Sequence, residues 1–229
     1  MIKLVNKIDF GQGVLFEKLK SESAVYESIP SALFYRSDSG AAIGILDSNM
    51  TIAGDTDTEE LLEFMRFSGP LTLLCECDLA DRLGIKYTRL NVMRANALGS
   101  KMKKEAPFCE PKEAYSLLMN GTDGDISPPS YEAFCLDYSL RVRRGRAYGT
   151  AYKNSVCIAS AVSDSSVIIS GVATDSSSRG SGFGLMCVMN MRRHFADKEC
   201  FVFCRDGLIP FYEKCGFSVL DCVAKSEEL

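Results

Sequence analysis

Gly180, Gly182 and Gly184 fall within the stretch Val172-Ala-Thr-Asp-Ser-Ser-Ser-Arg-Gly-Ser-Gly-Phe-Gly184, and their spacing suits a backbone cradle for an anion. Ile168 to Ala173 are mostly β-branched and apolar, which reads as a strand, and Leu185, Val188, Met189 and Met191 recur at helical spacing. The glycines therefore occupy a strand-to-helix turn. Without Cβ atoms, backbone N–H groups can approach a bulky anion, and a helix start leaves its first donors unpaired at the positive end of the dipole. A diphosphate is the anion such a turn suits, with Arg179 beside it. Two common phosphate motifs are excluded by spacing: the chain has no Gly-Lys followed by Ser or Thr, and Gly-x-Gly-x-x-Gly fails at Leu185 or at Cys187.

A second cluster follows downstream. After the apolar run Cys200 to Cys204 comes Ile209-Pro-Phe-Tyr-Glu-Lys-Cys-Gly-Phe217. Arg179, Gly182 and Gly184 in the pattern Arg-x-x-Gly-x-Gly, followed at this distance by Phe-Tyr-x-Lys and Gly-Phe, resemble the two signatures of the GNAT (GCN5-related N-acetyltransferase) superfamily. The resemblance covers residues 130–229. It implies acetyl-CoA as co-substrate and direct attack by an amine of a small molecule or peptide. It also implies a pantetheine arm beside Val172, Ala173 and Thr174, and a diphosphate on Arg179, Gly180, Ser181, Gly182, Phe183 and Gly184. Phe211 would pack on the arm. Tyr212 is either a core ring or the proton donor to the departing thiolate, a task suited to a phenol of pKa about 10. The superfamily often carries a glutamate on the strand before the turn; Ile168 to Ala173 has none, so the base is unassigned, with Asp137 and Asp175 as candidates. Ser176 stands where a proline is common. These departures leave a second reading, an acyl-CoA-binding sensor or scaffold without turnover.

The elements that must hold these residues form an internal echo. Strands are expected at Ala32 to Tyr35, Ala41 to Leu46, Met50 to Ala53, Leu71 to Cys75 and Lys86 to Met93, with helices at Thr58 to Phe67 and Leu79 to Leu83. The order returns in strands at Arg146 to Tyr152, Val156 to Val162, Val167 to Ala173, Cys200 to Cys204 and Phe217 to Val223, with helices at Gly182 to Phe195 and Ile209 to Cys215. Local phrases correspond, as in Met50-Thr-Ile-Ala-Gly-Asp and Val167-Ile-Ile-Ser-Gly-Val. In the first copy, however, Asp55-Thr-Asp-Thr-Glu-Glu60 replaces the glycine turn and should repel phosphate; Asp57 reads as a helix N-cap. The expected class is α/β, in the α+β sense of a mixed sheet: tandem GNAT-like halves with mostly antiparallel central sheets flanked by helices. The expected division is a degenerate domain at 1–96, a linker at 97–112 containing Lys101-Met-Lys-Lys104, and an acyltransferase domain at 113–229. Helices at Pro111 to Met119 and Tyr131 to Val142, the second capped by Ser130, would border the acceptor channel, with Asp137, Arg141, Arg143 and Arg144 either acceptor contacts or an exposed face.

Composition bounds the rest. The chain has 229 residues, is 46% hydrophobic and carries a net charge of −4, enough for a substantial core and no general attraction to nucleic acid or anionic membrane. No signal-peptide pattern or membrane-length apolar run is visible, so a cytoplasmic location is expected. The ten cysteines lie mostly inside apolar segments, as buried thiols do. Cys75-Glu-Cys77 lacks a second short-spaced pair, so no metal is expected. Cys135 and Cys204 lack a histidine partner for nucleophilic work. His194, the one histidine, reads as a cation at a helix C-terminus. A homodimer is compatible with a spare half-domain.

Overall fold

The computed structural model describes residues 1–27, 29–121, 129–227 and 229. They form two compact units. Unit 1 contains Met1–Val92, Cys204–Asp206 and Leu220–Leu229, and unit 2 contains Met93–Phe203 and Gly207–Val219.

In unit 1 the chain runs β1 (Ile2–Val5), α1 (Val14–Tyr26), β2 (Ala32–Ser37), β3 (Ala42–Leu46), β4 (Asn49–Ala53), α2 (Thr58–Ser68), β5 (Thr72–Glu76), α3 (Cys77–Leu83) and β6 (Thr88–Ala95, in this unit to Val92). From Leu220 the last strand, β11 (Ser218–Ser226), also belongs here and runs antiparallel to β5, with Val223 opposite Glu76 and Ala224 opposite Cys75. The strands from β1 to β4 pair antiparallel in sequence order, and β4 pairs parallel with β5. The core is Ile43, Met50, Ile52, Leu61, Leu73 and Leu79. As expected, Asp57 caps α2, its side chain accepting from Glu60 N at 2.8 Å, and Gly69 ends the helix in the left-handed conformation. The sequence pattern did not disclose α1. Its buried side includes Ser21, Glu22 and Ser23, which blurs any apolar stripe. Two of them are hydrogen-bonded: Lys18 Nζ, one turn earlier on α1, donates to Glu22 at 2.6 Å, and Ile8 N, from the chain before the helix, donates to Ser23 Oγ at 3.0 Å.

In unit 2, α4 (Pro111–Gly121) and α5 (Tyr131–Arg143) precede β7 (Tyr148–Tyr152), β8 (Ser155–Val162), β9 (Ser166–Thr174), α6 (Phe183–His194), β10 (Glu199–Cys204) and α7 (Ile209–Lys214). Strand order is β10-β9-β8-β7, parallel between β10 and β9 and antiparallel elsewhere. Ser130 caps α5 by accepting from Ala133 N at 3.3 Å. The segment read as a linker is bonded along unit 2. Gly99 N donates to Ala196 O at 2.8 Å, Cys109 N to Gly149 O at 2.9 Å, and Phe108 bridges antiparallel to Thr150 at the edge of β7. The mixed α/β architecture matches the class expected from the sequence.

Helix α4 lies across β9 and is fitted to it at both ends of its contact. Leu118 Cδ2 would sit 3.3 Å from a Cβ at Gly171, and a Cβ on Gly121 would lie 2.9 Å from Thr174 N and 3.0 Å from Thr174 O. Backbone atoms cannot yield as a side-chain tip can. Gly121→Leu is therefore expected to push α4 off the strand and cost about 1–3 kcal/mol of stability; an unchanged urea midpoint would contradict this packing.

Candidate functional site

The site begins where β9 leaves β10. Their parallel register runs from Ser166 opposite Glu199 to Ile169 opposite Val202, and Gly171 to Thr174 continue with β8 alone. On the β8 side the register slips twice, leaving Ser170 on β9 and Ser160 on β8 without opposite residues. Such bulges bend and twist a strand. One is braced: Arg141 Nη1 donates to the Ser160 carbonyl at 3.0 Å, while Arg141 Nε donates to Asp137 at 2.9 Å. Asp137 and Arg141 are thus tied to each other and to the bend.

Beyond Thr174 the chain makes a 3-10 turn, Ser176–Ser178, and enters α6 through the glycines. Gly180 and Gly182 have φ of +78° and +77°, with nothing within 4 Å of where a Cβ would be, so the surface over the helix start is open to a bulky group. Gly184 serves another purpose. A Cβ there would meet Thr174 Oγ1 at 3.0 Å and the Phe211 ring at 3.6 Å, so its absence lets α6 lie on the end of β9 beside α7. Thr174, Gly184 and Phe211 are brought together, with Thr174 Oγ1 held by Ser155 Oγ at 2.8 Å. Arg179 follows the 3-10 turn and donates through Nη2 to the Gly121 carbonyl at 2.8 Å.

Tyr212 lies on α7, 6% exposed, its ring against Phe211 and Phe217. A residue the sequence reading passed over sets the position of this helix. Arg192, on α6 and 6% exposed, donates through Nη1 to the Cys215 carbonyl at 2.6 Å and through Nη2 to the Asn96 carbonyl at 3.2 Å. It stands in the run Arg192-Arg193-His194, which resembles any helix-end cation cluster, so only burial distinguishes it.

The charge states follow from contacts. Asp175 accepts from Ser177 Oγ at 2.5 Å and Ser177 N at 3.0 Å, and these bonds hold its carboxyl below the usual aspartate value. As a base, Asp175 is engaged and weakened. His194 is not the cation expected from its place in the helix. Its Nδ1 accepts from Ala106 N at 3.4 Å, its ring stacks on Tyr148 at 4.0 Å, and burial, then Lys103, lowers its pKa. Burial pushes Cys204 up, which leaves the thiol protonated. All ten cysteines are free, and among the described residues no group of three or more His, Cys, Asp or Glu is placed to hold a metal ion. No helix among them is long and apolar enough to cross a membrane.

Unit 1 also has a pair of parallel strands whose register ends early. The register of β4 with β5 ends at Thr51 opposite Leu74. Glu76, at the end of β5, turns into the gap and accepts from Gly54 N through Oε1 at 3.1 Å. Burial raises its pKa first of all, and Oε2 is buried without a hydrogen-bond partner among the described residues. Asp55 is paired with Arg82. No sequence spacing announced the Glu76 contact, since its partner lies 22 residues away.

No protein-family model matches the chain, and no curated protein matches it by sequence. Solved structures do match in fold. A GCN5-related N-acetyltransferase from Sphaerobacter thermophilus superposes with a TM-score of 0.54 at 13% identity, covering 87% of this chain and 82% of its own. A tandem GNAT protein from the clavulanic acid biosynthesis pathway gives 0.53 at 12% identity, covering 89% and 86%. A GNAT-family acetyltransferase from Colwellia psychrerythraea gives 0.52 at 10% identity, covering 98% of both chains. The chain has the GNAT fold.

The acceptor role of His194 has a pH consequence. A lowered pKa favours the neutral ring in the folded state, so the stability it contributes is complete above the usual value of 6.5 and is lost as pH falls below it. With a single histidine in the chain, its proton NMR titration is unambiguous. A midpoint below 6.5 in the folded protein is expected; one at or above 6.5 would sink the assignment.

Proposed function

With the GNAT fold as premise, we propose that the chain is an acyl-CoA-dependent N-acyltransferase, with acetyl-CoA as donor and an amine of a small molecule or peptide as acceptor. One observation carries this reading: the break of β9 from β10 runs directly into an open glycine turn at the start of a helix. The residues fit the donor. Open space above Gly180 and Gly182 accommodates a diphosphate against backbone donors of the turn and the first turn of α6. The stretch Val172 to Thr174, which β10 does not pair, suits a pantetheine amide, which adds to a strand as another strand does.

The thioester, when bound, supplies an activated acyl carbon. The amine nitrogen attacks that carbon, the carbon–sulfur bond breaks, and Tyr212 gives its hydroxyl proton to the departing sulfur. Phe211 and Phe217 restrict the Tyr212 ring, and burial excludes water from it. The attacking nitrogen gives up its surplus proton to water and Tyr212 is reprotonated from solvent when the products leave, since Ser166 to Thr174 carries no carboxylate to act as base and Asp175 is engaged. That same observation favours the second reading, a module that binds acyl-CoA without turnover. Unit 1 is read as a degenerate copy whose gap is filled by Glu76.

Titration calorimetry with acetyl-CoA and CoA tests the site. Micromolar binding is expected for the wild type and none for Gly182→Glu, which places like charge in the cradle. Gly182→Asn tolerates positive φ and should retain binding, which separates charge from backbone strain. No binding by the folded wild type would refute both readings. Tyr212→Phe is expected to keep CoA binding and lower turnover at least about tenfold, within the range for one general acid. Unchanged turnover removes Tyr212 from the chemistry, and a wild type that binds but transfers nothing across a panel of amines leaves the binding module.

A further inference from the structure

We infer that Lys153 is the second cation of the glycine turn and holds the diphosphate of the CoA donor together with Arg179; the inference rests on the reading that this turn binds acyl-CoA. Lys153 and Asn154 form the two-residue link between β7 and β8, where Tyr152 pairs with Ser155. Lys153 has φ of +52°, one of two non-glycine residues with positive φ among the described residues. A lysine is seldom found in that conformation, which glycine or asparagine adopts more readily. The neighbouring contacts explain how it is held. The Asn154 carbonyl accepts from Asp175 N at 2.9 Å, and Asn154 Nδ2 donates to Ser178 Oγ at 2.9 Å. The hairpin is thereby fastened to both ends of the 3-10 turn that leads to the glycines.

This fastening places the Lys153 ammonium at the entrance to α6. Its Nζ stands 4.5 Å from the centre of the Phe183 ring, and Phe183 is the first residue of α6, directly after Gly182. Among the described residues Nζ makes no hydrogen bond or ion pair; the ring faces of Phe183 and Tyr152 are its neighbours. The nearby Asp175 carboxylate is bonded to Ser177. Arg179, the cation the sequence pointed to, donates to the Gly121 carbonyl. A lysine resting on an aromatic face beside open helix donors can exchange that weak contact for a charge-assisted bond to phosphate oxygen. The spacing that located Arg179 had no means of finding Lys153, which is remote in sequence and reaches the turn through a hairpin.

The test is calorimetric titration of the full chain with CoA and, separately, with S-acetylpantetheine, which has the arm but no diphosphate. Lys153→Gln is expected to weaken CoA binding about tenfold, as for loss of one charged hydrogen bond. It should leave S-acetylpantetheine binding unchanged and reduce the salt dependence of CoA binding. Lys153→Arg should restore most of the CoA affinity, and Lys153→Gly, which suits the positive φ, should reproduce the selective loss without backbone strain. Equal CoA binding by wild type and Lys153→Gln overturns the inference while the proposed function stands. Equal weakening toward both ligands also overturns it, since that is the mark of a distorted hairpin. A wild type that binds neither ligand refutes the underlying reading instead.

Discussion

The parting of β9 from β10 after the Ile169–Val202 pair is the constraint on which the candidate site depends. Parallel strands kept in register would bury Val172 to Thr174 between neighbours and leave no edge for a ligand. The bulges at Ser160 and Ser170 bend the strand, and Arg141 holds the carbonyl that the bend would otherwise orphan. Helix α6 can then begin at the gap and lie close on Thr174 because Gly184 has no side chain. Arg192 fixes the C-terminus of α7 from the same helix, so the cradle, Phe211 and Tyr212 are all referred to α6.

The two units show how little separates an open gap from a filled one. In unit 1 the β4–β5 register also ends early, and the Gly54 N–H there is taken by Glu76. Its helix α2 starts with Asp57, whose carboxylate satisfies Glu60 N. A helix start capped by its own chain offers fewer donors to a phosphate, and carboxylates around it add repulsion. In unit 2 the N-cap of α6 is Gly182, which has no side chain to satisfy those donors. The difference between the two helix starts thus lies in whether the chain itself supplies a side-chain acceptor there.

Polar contacts of the segment before α4 illustrate a related point. Its composition, with Lys101, Lys103, Lys104 and Pro107, reads as a solvated connection. Its backbone nevertheless finds partners on Ala196, Arg193 and Gly149, and Ala106 donates to His194. Composition reports side-chain solubility; backbone hydrogen bonding depends on what lies alongside.

Local periodicity and turn chemistry made much of the fold legible. Alternation and β-branching located β2 to β10, Asp57 and Ser130 marked helix starts, and three glycines marked the turn into α6. These signals are encoded within a few residues, so the chain alone determined them. The order of the elements, strands and helices recurring along the chain, was legible in the same way. Only the tertiary structure decided that the strand from Leu220 joins unit 1 beside β5, that Arg141 and Arg192 serve carbonyls of bends and helix ends, that His194 is a neutral acceptor, that Glu76 reaches Gly54, and that Lys153 rests on Phe183 at the start of α6. Each of these depends on partners distant in sequence, and on burial that shifts proton affinity or excludes water. Periodicity carries no record of either.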